Sequence, residues 1–435
     1  MSWEPSIASR VNQTSLLVIA GGQVLLEGGA LPEVETRGHW HADVAAVVAA
    51  ARQRLGFDVT VVRTLAVARD EETNIARSLV ALAPRGLPPS PHQVGSGLEW
   101  RSAADAIDAV PDRHRAAVTS WLAPDSDGGP QPWFRAGWLD EAEAWARQRL
   151  DEAGRRMTGP ALQVKHWSIA AILRIPTARG DAWFKAVPPL FAHEGALIGL
   201  LTAAGLPVPR TVAHDAGRGW TLMDAVPVRT LRQVPERKAD ALRLLATMHQ
   251  RWAGHAARLF SIGCSDRRIE SLHAELDAIL RRPEAARGLT PGERATLRAF
   301  ASTLPRRIAE LRACGLPDTL MHGDFHPGNV AVDGDRMVIF DWTDGCVGHP
   351  LFDLSTFLPH DPVERAALLS VYFDAWKPAF DDATLDRAWE LAEPLALVHH
   401  AVSYVRILDA VGAENAWEFD SDPLFWLRWL RDVAS

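Results

Sequence analysis

Residues 321–354, with the sequence MHGDFHPGNVAVDGDRMVIFDWTDGCVGHPLFDL, constrain this chain more than any other segment. Asp324 and Asn329 flank the Pro-Gly turn of FHPG, and an Asp-Gly turn then separates the apolar runs NVAV and RMVIF. Two apolar runs joined by an Asp-Gly turn predict a β-hairpin. Because a hairpin folds the chain back, Asp341 at its end can converge on Asp324 and Asn329, although it follows Asn329 by 12 residues.

The three side chains that are predicted to converge supply two carboxylates and one amide oxygen. Mg²⁺ takes oxygen ligands, and a protein usually binds it through one or two carboxylates together with substrate phosphates. The remaining carboxylate can accept a proton from an attacking hydroxyl. His322-Gly-Asp324, four further residues and Asn329 match the H-x-D-x-x-x-x-N arrangement of phosphoryl transfer. The alternative is that these acids only cap turns, and the combined pattern favours the chemical interpretation.

HGDFHPGN followed by IFDWTDGCVGHPLFDL resembles the signature of the aminoglycoside phosphotransferase and choline kinase superfamily, which has a protein-kinase-like fold. Neither D-F-G nor A-P-E follows the hairpin, so the pattern differs from that of a protein kinase. The resemblance implies that Asp324 is the catalytic base and that Asn329 and Asp341 ligate Mg²⁺. It also implies that His322 supports the loop and that Asp353 braces it through hydrogen bonds. ATP and Mg²⁺ are therefore the expected cofactors.

Three strands are predicted upstream, in ALQVKHWS, AAILRIPT and AWFKAV. The third carries Lys185, one of four lysines in a chain with 42 arginines. The resemblance implies that Lys185 holds the α- and β-phosphates and pairs with Glu194 on the next helix, FAHEGALIGLLTAAGL. A surface ion pair is the alternative, and it would stabilise little. Ser168, in the turn after the first strand, either donates to a phosphate or is a plain turn serine.

A further strand, in GWTLMDAV, ends just before Pro227. In the superfamily, the residues after this strand meet the adenine through backbone groups. By position, Met223 borders the adenine pocket, the Asp224 carbonyl accepts from the adenine amino group, and the Val226 N–H donates to a ring nitrogen. Because backbone groups make these contacts, the side chains give little signal.

Residues 1–121 predict a separate small α+β domain, with the hairpin SLLVIA-GGQ-VLLE, the helix HADVAAVVAAARQRLGF and further strands. This order resembles a degenerate Nudix domain, since AAARQRLGF carries none of the glutamates that a Nudix helix needs to bind metal. The resemblance implies a domain without catalytic acids that caps the site, docks a partner or forms a homo-oligomer. An unrelated small α+β domain is the alternative.

The remaining chain completes an α+β fold. The Pro-, Gly- and Asp-rich segment predicts a linker over 122–135. A bilobal protein-kinase-like region follows, with a small β-rich N-lobe over 136–226 and a helical C-lobe over 227–435. Within the C-lobe, GHPLFDLSTFL predicts the start of another helix.

Composition limits the partners and the compartment. The net charge of −8 argues against nucleic-acid binding through a broad basic surface. Cys264, Cys314 and Cys346 are few and widely spaced, which indicates neither a disulfide framework nor a zinc site. The sequence MSWEPSIASRVNQTS does not resemble a signal peptide, and no apolar run approaches about 20 residues. We therefore expect a cytoplasmic protein with no membrane partner.

The expected function is transfer of the ATP γ-phosphate to a hydroxyl of a small molecule, an aminoglycoside, an amino sugar or a related metabolite. Its alternative is a kinase-like binding or regulatory protein without turnover. Acidic residues near the C-lobe helices would suit ammonium groups, although a solvated acidic tail explains them as well. The candidate acceptor contacts are His399, His400, Tyr404, Glu414 and Glu418.

Overall fold

The structure is a computed structural model, and it describes residues 7–70, 72–86, 97–122, 131–282, 288–377, 379–419 and 421–434. The middle of the predicted linker, 123–130, lies outside the described residues. Contacts within the chain divide it into two compact units, Met1–Val187 and Pro188–Ser435. The domain boundaries taken from the sequence stay predictions.

The described part of the first unit begins with a mixed β-sheet that has helices on both faces. These elements are β1 (Val11–Ala20), β2 (Gln23–Glu27), β3 (Glu33–Arg37), α1 (Ala45–Leu55), β4 (Val59–Asp70), β5 (Ile75–Pro84), β6 (Leu98–Ser102), α2 (Ala103–Ala109) and α3 (Asp112–Trp121). The strand order is β4-β5-β1-β2-β6, with β3 beside β1, and β1 runs parallel to β5. The predicted hairpin at the start of this region is confirmed by the antiparallel pairing of β1 with β2.

Strand β1 is buried on both faces because helices cover both sides of the sheet. Leu16 and Val18 pack in one cluster with Val47 and Leu55 of α1. Leu17 points the other way and packs in a second cluster with residues of α2 and α3. This alternation follows from the two-residue period of a strand.

The first unit continues with α4 (Trp138–Glu152) and an antiparallel set of strands, β7 (Leu162–Trp167), β8 (Ala170–Ile175) and β9 (Ala182–Ala186). Strand β7 is bonded to the preceding sheet. The Gln163 side-chain amide accepts from the Val61 N–H at 2.8 Å and donates to the Val61 carbonyl at 2.9 Å. His166 Nε2 lies 2.9 Å from the Val62 carbonyl oxygen. Both side chains are buried and their hydrogen bonds are met, so this packing holds the strands in one fixed register.

The second unit is mainly helical. Its helices are α5 (Glu194–Ala203), α6 (Lys238–Trp252), α7 (Ala256–Phe260), α8 (Leu272–Arg281), α9 (Pro291–Ala313), α10 (Pro362–Asp374), α11 (Asp382–Val411) and α12 (Asp422–Ala434). Its strands are β10 (Thr211–Asp215), β11 (Trp220–Asp224), β12 (Ser265–Asp266), β13 (Thr319–Met321), β14 (Val330–Asp333), β15 (Arg336–Ile339) and β16 (Cys346–Gly348). The elements of the two units together confirm the predicted α+β class.

Two small β-structures position the loop that the sequence singled out. Strand β16 lies between β12 and β13, parallel to the first and antiparallel to the second. Strands β14 and β15 form the predicted hairpin, in which Val330 pairs with Ile339 and Asp333 with Arg336. The loop between β13 and β14 therefore has a sheet at one end and a hairpin at the other.

The helix predicted in GHPLFDLSTFL is wrong in part. A five-residue 3₁₀ turn, Pro350–Leu354, forms instead, and α10 begins only at Pro362. All five residues of the turn are buried, and the Asp353 carboxylate bonds to the 322–323 backbone. These tertiary contacts hold the segment in a tight turn.

Over the described residues, no helix has the length and apolar character needed to cross a membrane.

Candidate functional site

The hairpin closes the sequence gap between Asn329 and Asp341. The Phe340 N–H donates to the Asn329 carbonyl at 3.0 Å, which extends the hairpin ladder by one pair. Asp341 follows directly and has a positive φ of 65°, the left-handed conformation that aspartate tolerates better than most residues. Its Oδ1 accepts from the Thr343 hydroxyl at 3.0 Å. The chain therefore turns sharply at Asp341 just beyond Asn329.

Asn329 is oriented by Asp324. Its Nδ2 donates to the backbone carbonyl of Asp324 at 3.0 Å and to Oδ2 of the same residue at 3.3 Å. Since the amide nitrogen is used in this way, the side-chain carbonyl oxygen of Asn329 is the atom that could ligate a cation. The 3₁₀ turn Pro327–Asn329 carries this side chain, and His326 caps the turn by accepting from the Gly328 N–H at 2.9 Å.

Asp324 has a perturbed carboxyl group. Burial raises its pKa to about 6, with further contributions from the nearby Asp341 and Asp353 carboxylates, while His322 and the hydrogen bond from Asn329 act in the opposite direction. The side chain keeps 46% of its surface exposed, so it is recessed and still reachable. A carboxylate near neutrality that can be reached from solvent suits a general base.

His322 supports the loop in its neutral form. Its Nε2 lies 3.0 Å from the Phe340 carbonyl, and its Nδ1 accepts from the Asp324 N–H at 3.3 Å. Both bonds are met when the proton is on Nε2. Burial lowers the pKa of His322, which favours this neutral state.

The buried Asp353 carboxylate holds the backbone of the loop through hydrogen bonds. Its Oδ2 accepts from the His322 N–H at 2.7 Å, and its Oδ1 accepts from the Gly323 N–H at 2.8 Å. His249 Nε2 lies 3.1 Å from Oδ2, and His249 Nδ1 lies 2.7 Å from the Tyr372 hydroxyl. Burial on its own would raise the pKa of Asp353, but the hydrogen bond and charge of His249 and the bonds from the loop outweigh it and lower that pKa.

Gly323 is required by a close approach of the chain to itself. Its φ is +82°, and a Cβ atom at this position would lie 2.8 Å from the Asp344 Cβ and nearer still to the Asp344 carbonyl oxygen. Asp344 therefore packs directly against the residue that precedes Asp324. The sequence analysis did not single out Asp344, since only its position three residues after Asp341 sets it apart from other surface acids.

The residues expected to hold a nucleotide lie in both units. In the first unit, Lys185 is 7% exposed on β9, where it pairs with Ile172, and Ser168 is fully buried in the turn between β7 and β8. In the second unit, Glu194 is 1% exposed and begins α5. Their predicted roles stay predictions.

The predicted adenine contacts lie at the end of β11. Met223 is buried within the strand, and Asp224 ends it. The Asp224 N–H donates to the Arg210 carbonyl at 2.9 Å, and its carboxylate pairs with the Arg210 guanidinium at 2.7 Å. Val226 is partly exposed in the connection after the strand.

The candidate acceptor contacts differ in their surroundings. His399 is buried on α11 and lines a recess, whereas His400 bonds through Nε2 to the Ser355 hydroxyl at 2.8 Å and stacks on Trp426 at 4.4 Å. Tyr404 is partly buried, and burial and then the Asp324 charge raise the pKa of its phenol. Glu414 is exposed and Glu418 is partly exposed in the segment after α11.

Among the described residues, no group of three or more His, Cys, Asp or Glu side chains is placed to hold a metal ion. The predicted Mg²⁺ ligands, Asn329 and Asp341, are one amide and one carboxylate. This donor set fits Mg²⁺, which completes its coordination with water and substrate phosphate oxygens.

The comparisons with known proteins give a family match. The profile of the phosphotransferase enzyme family matches residues 160–395, more than half of the 435-residue chain. No protein of curated function matches the sequence.

The solved structures that match parts of this chain share few residues with it. A macrolide 2′-phosphotransferase type I is 14% identical, with 67% of this chain and 96% of that one covered and a TM-score of 0.45. A choline/ethanolamine kinase family protein from Mesorhizobium loti is 18% identical, with coverages of 68% and 97% and a TM-score of 0.44. A Plasmodium vivax ethanolamine kinase is 9% identical, with coverages of 66% and 85% and a TM-score of 0.47. At these values the likeness carries no argument about activity.

Proposed function

We propose that this chain, which belongs to the phosphotransferase enzyme family, transfers the γ-phosphate of ATP to a hydroxyl group of a small molecule in the presence of Mg²⁺. The acceptor oxygen forms a new bond to the γ-phosphorus, the bond from that phosphorus to the β–γ bridging oxygen breaks, and ADP leaves. The hydroxyl proton passes to a carboxylate of the protein.

One observation carries this proposal: Asn329 is held by Asp324 so that its amide oxygen can face a cation. The two hydrogen bonds from Nδ2, at 3.0 and 3.3 Å, fix the side chain before any ligand arrives. Asp341 follows the same hairpin at a sharp turn and is close enough to raise the pKa of Asp324. The oriented amide oxygen, the second carboxylate and the raised pKa of Asp324 support the proposed roles of metal ligands and base.

Asp324 is the proposed base. With its pKa raised to about 6, the carboxylate is largely ionised at pH 7 to 8 and accepts a proton more readily than an ordinary aspartate. Asn329 and Asp341 are the proposed Mg²⁺ ligands, and the ion would neutralise charge on the β- and γ-phosphates. His322 and Asp353 hold the loop backbone in place and do not handle the transferred proton.

The remaining assignments rest on the family resemblance. Lys185, paired with Glu194, is proposed to bind the α- and β-phosphates, and Ser168 to donate to a phosphate oxygen. An aminoglycoside, an amino sugar or a related metabolite is the acceptor that the resemblance implies. Burial of Lys185 and Glu194, each less than a tenth exposed, supports a role other than a surface ion pair.

The test is ADP release from ATP·Mg²⁺ with a panel of aminoglycosides, amino sugars, sugars, sugar acids and amino alcohols. We expect acceptor-dependent ADP from the wild type and a loss on the order of 10²-fold or more in Asp324→Ala. Asp335→Ala is the matched control, because Asp335 lies in the turn of the neighbouring hairpin and its side chain is fully exposed. Equal ADP from wild type and Asp324→Ala would remove Asp324 from the mechanism. No ADP with any acceptor would favour a binding protein without turnover.

A further inference from the structure

A small recess of about 30 Å³, partly open to solvent, lies in the second unit beside the loop that carries Asp341. Its polar lining includes Thr343 and Asp344 of that loop, Arg267 after β12, and Ser403 and Arg406 of α11. Asp344, which lines the recess, packs against Gly323, the residue that precedes Asp324.

Arg267 is the unusual group in the recess. It is 5% exposed, and its Nη2 donates to the His399 carbonyl at 2.9 Å. Its Nε is buried without a hydrogen-bond partner. Among the described residues, no carboxylate lies within ion-pair distance of this guanidinium. A buried charge without a counter-ion carries a large desolvation penalty, and a buried donor without an acceptor adds to it.

Arg406 adds a second positive charge to the lining. It is partly exposed on α11, and within the described parts of the chain it forms no ion pair. The other titratable groups of the recess do not balance the two arginines. Burial lowers the pKa of His193 and of His399, so both are neutral at pH 7.

Cys346 and Asp344 are the remaining titratable groups that line the recess. Burial raises the pKa of the Cys346 thiol, which also stays neutral. Asp344 is then the one carboxylate among the lining residues, against two guanidinium groups. Glu275 and Asp344 act on Arg267 only over distances longer than an ion pair. The recess therefore carries a net positive charge.

We propose that the recess binds a hydroxylated acceptor through an anionic group, a carboxylate or a phosphate, which Arg267 and Arg406 hold while a hydroxyl faces Asp324. This inference rests on the proposed phosphotransferase function and narrows its acceptor class. Guanidinium groups bind carboxylate and phosphate oxygens through charge-assisted hydrogen bonds. An acceptor with several ammonium groups would instead be repelled by the two arginines. Glu414 and Glu418, the acids that the sequence offered for a cationic acceptor, do not line this recess.

The experiment uses four probes on one sugar skeleton: glucose, glucosamine, glucuronate and glucose 6-phosphate. Binding of each to the full-length protein is measured by calorimetry without nucleotide, and ADP release is measured separately with ATP·Mg²⁺. We expect glucuronate or glucose 6-phosphate to bind about tenfold or more tightly than glucose and glucosamine. The comparison of these two anions tells a carboxylate site from a phosphate site.

Arg406 is the position to vary, because it is partly exposed and its replacement leaves the core intact. Arg406→Gln should weaken binding of the preferred anion about tenfold to a hundredfold, and Arg406→Lys should retain part of it. Arg387→Gln is the matched control, since Arg387 lies exposed on the same helix and pairs with Glu310 and Glu390. Arg267→Gln is measured with its melting temperature, so that a loss of folding is recognised.

Several results would overturn the anion site. They are equal or tighter binding of glucose or glucosamine, no binding of any of the four probes, or unchanged anion binding in Arg406→Gln. Anion binding without ADP release from any acceptor has a different meaning: it would leave the site in place and refute the proposed phosphoryl transfer. The two proposals therefore fail separately.

Discussion

Replacing Asp353 by alanine tests whether one buried carboxylate holds the loop that carries Asp324 in place. The carboxylate accepts from the N–H groups of His322 and Gly323 and lies 3.1 Å from His249 Nε2. Hydrogen bonds to a charged acceptor contribute about 1.5–3 kcal/mol each, and breaking a buried ion pair typically costs about 3–5 kcal/mol. We expect Asp353→Ala to lower the free energy of unfolding by about 3–5 kcal/mol, since two backbone donors and an imidazole lose their partner in a buried site.

The assay is guanidinium-induced unfolding of wild type and variant at pH 7, followed by circular dichroism, together with ADP release below the unfolding transition. Asp361→Ala is the control, because Asp361 caps α10 in an exposed position and its loss should cost about 1 kcal/mol. ADP release should fall in Asp353→Ala and not in Asp361→Ala. If Asp353→Ala costs no more stability than Asp361→Ala, the reasoning about the buried brace is refuted.

Four further predictions concern the same loop. Because Asp324 must be ionised to act as a base, and burial raises its pKa to about 6, kcat/KM should fall about tenfold per pH unit below pH 6; a flat profile down to pH 5 would contradict this. The raised pKa also means that ionising Asp324 disfavours the folded state as the pH rises from about 4 to 6, so Asp324→Asn should raise the melting temperature at pH 8 and leave it unchanged at pH 4. Gly323→Ala should lower the free energy of unfolding by about 1–3 kcal/mol more than Gly334→Ala. Both glycines have a positive φ, but only at Gly323 would the added Cβ atom meet other atoms within 4 Å. Equal melting temperatures of the two variants would show that the loop accommodates the added methyl group without loss of stability. Asn329→Ala should raise the Mg²⁺ concentration for half-maximal ADP release about tenfold or more without a large change in melting temperature, and an unchanged Mg²⁺ requirement would remove Asn329 from the metal site.

Structural features that depend on residues adjacent in the chain could be predicted from the sequence. The Asp-Gly turn predicted the β14–β15 hairpin, and the hairpin is present with Asp333 paired to Arg336. The Pro-Gly turn predicted the bend that carries Asn329. The family pattern predicted α5 and the braced position of Asp353. For the two turns, a few adjacent side chains and the backbone angles they permit determine the outcome.

One local prediction failed because distant contacts outweighed local preference. GHPLFDLSTFL has the pattern of a helix, yet Pro350–Leu354 is a 3₁₀ turn that is buried on every side. Its Asp353 is held by donors 30 and 31 residues earlier in the chain. Nothing within the segment carries that information.

Tertiary structure alone determines the recess beside the loop. Arg267 and His399 are 132 residues apart, and their contact depends on how α11 packs beside the segment that follows β12. In a chain with 42 arginines, no local signal distinguishes Arg267 or Arg406 from a solvated surface residue. The sequence therefore determined the chemistry of the loop, through residues within 20 positions of one another. Only the fold decided the charge of the recess beside it, because an unpaired buried guanidinium is a property of what surrounds it and not of its neighbours in the chain.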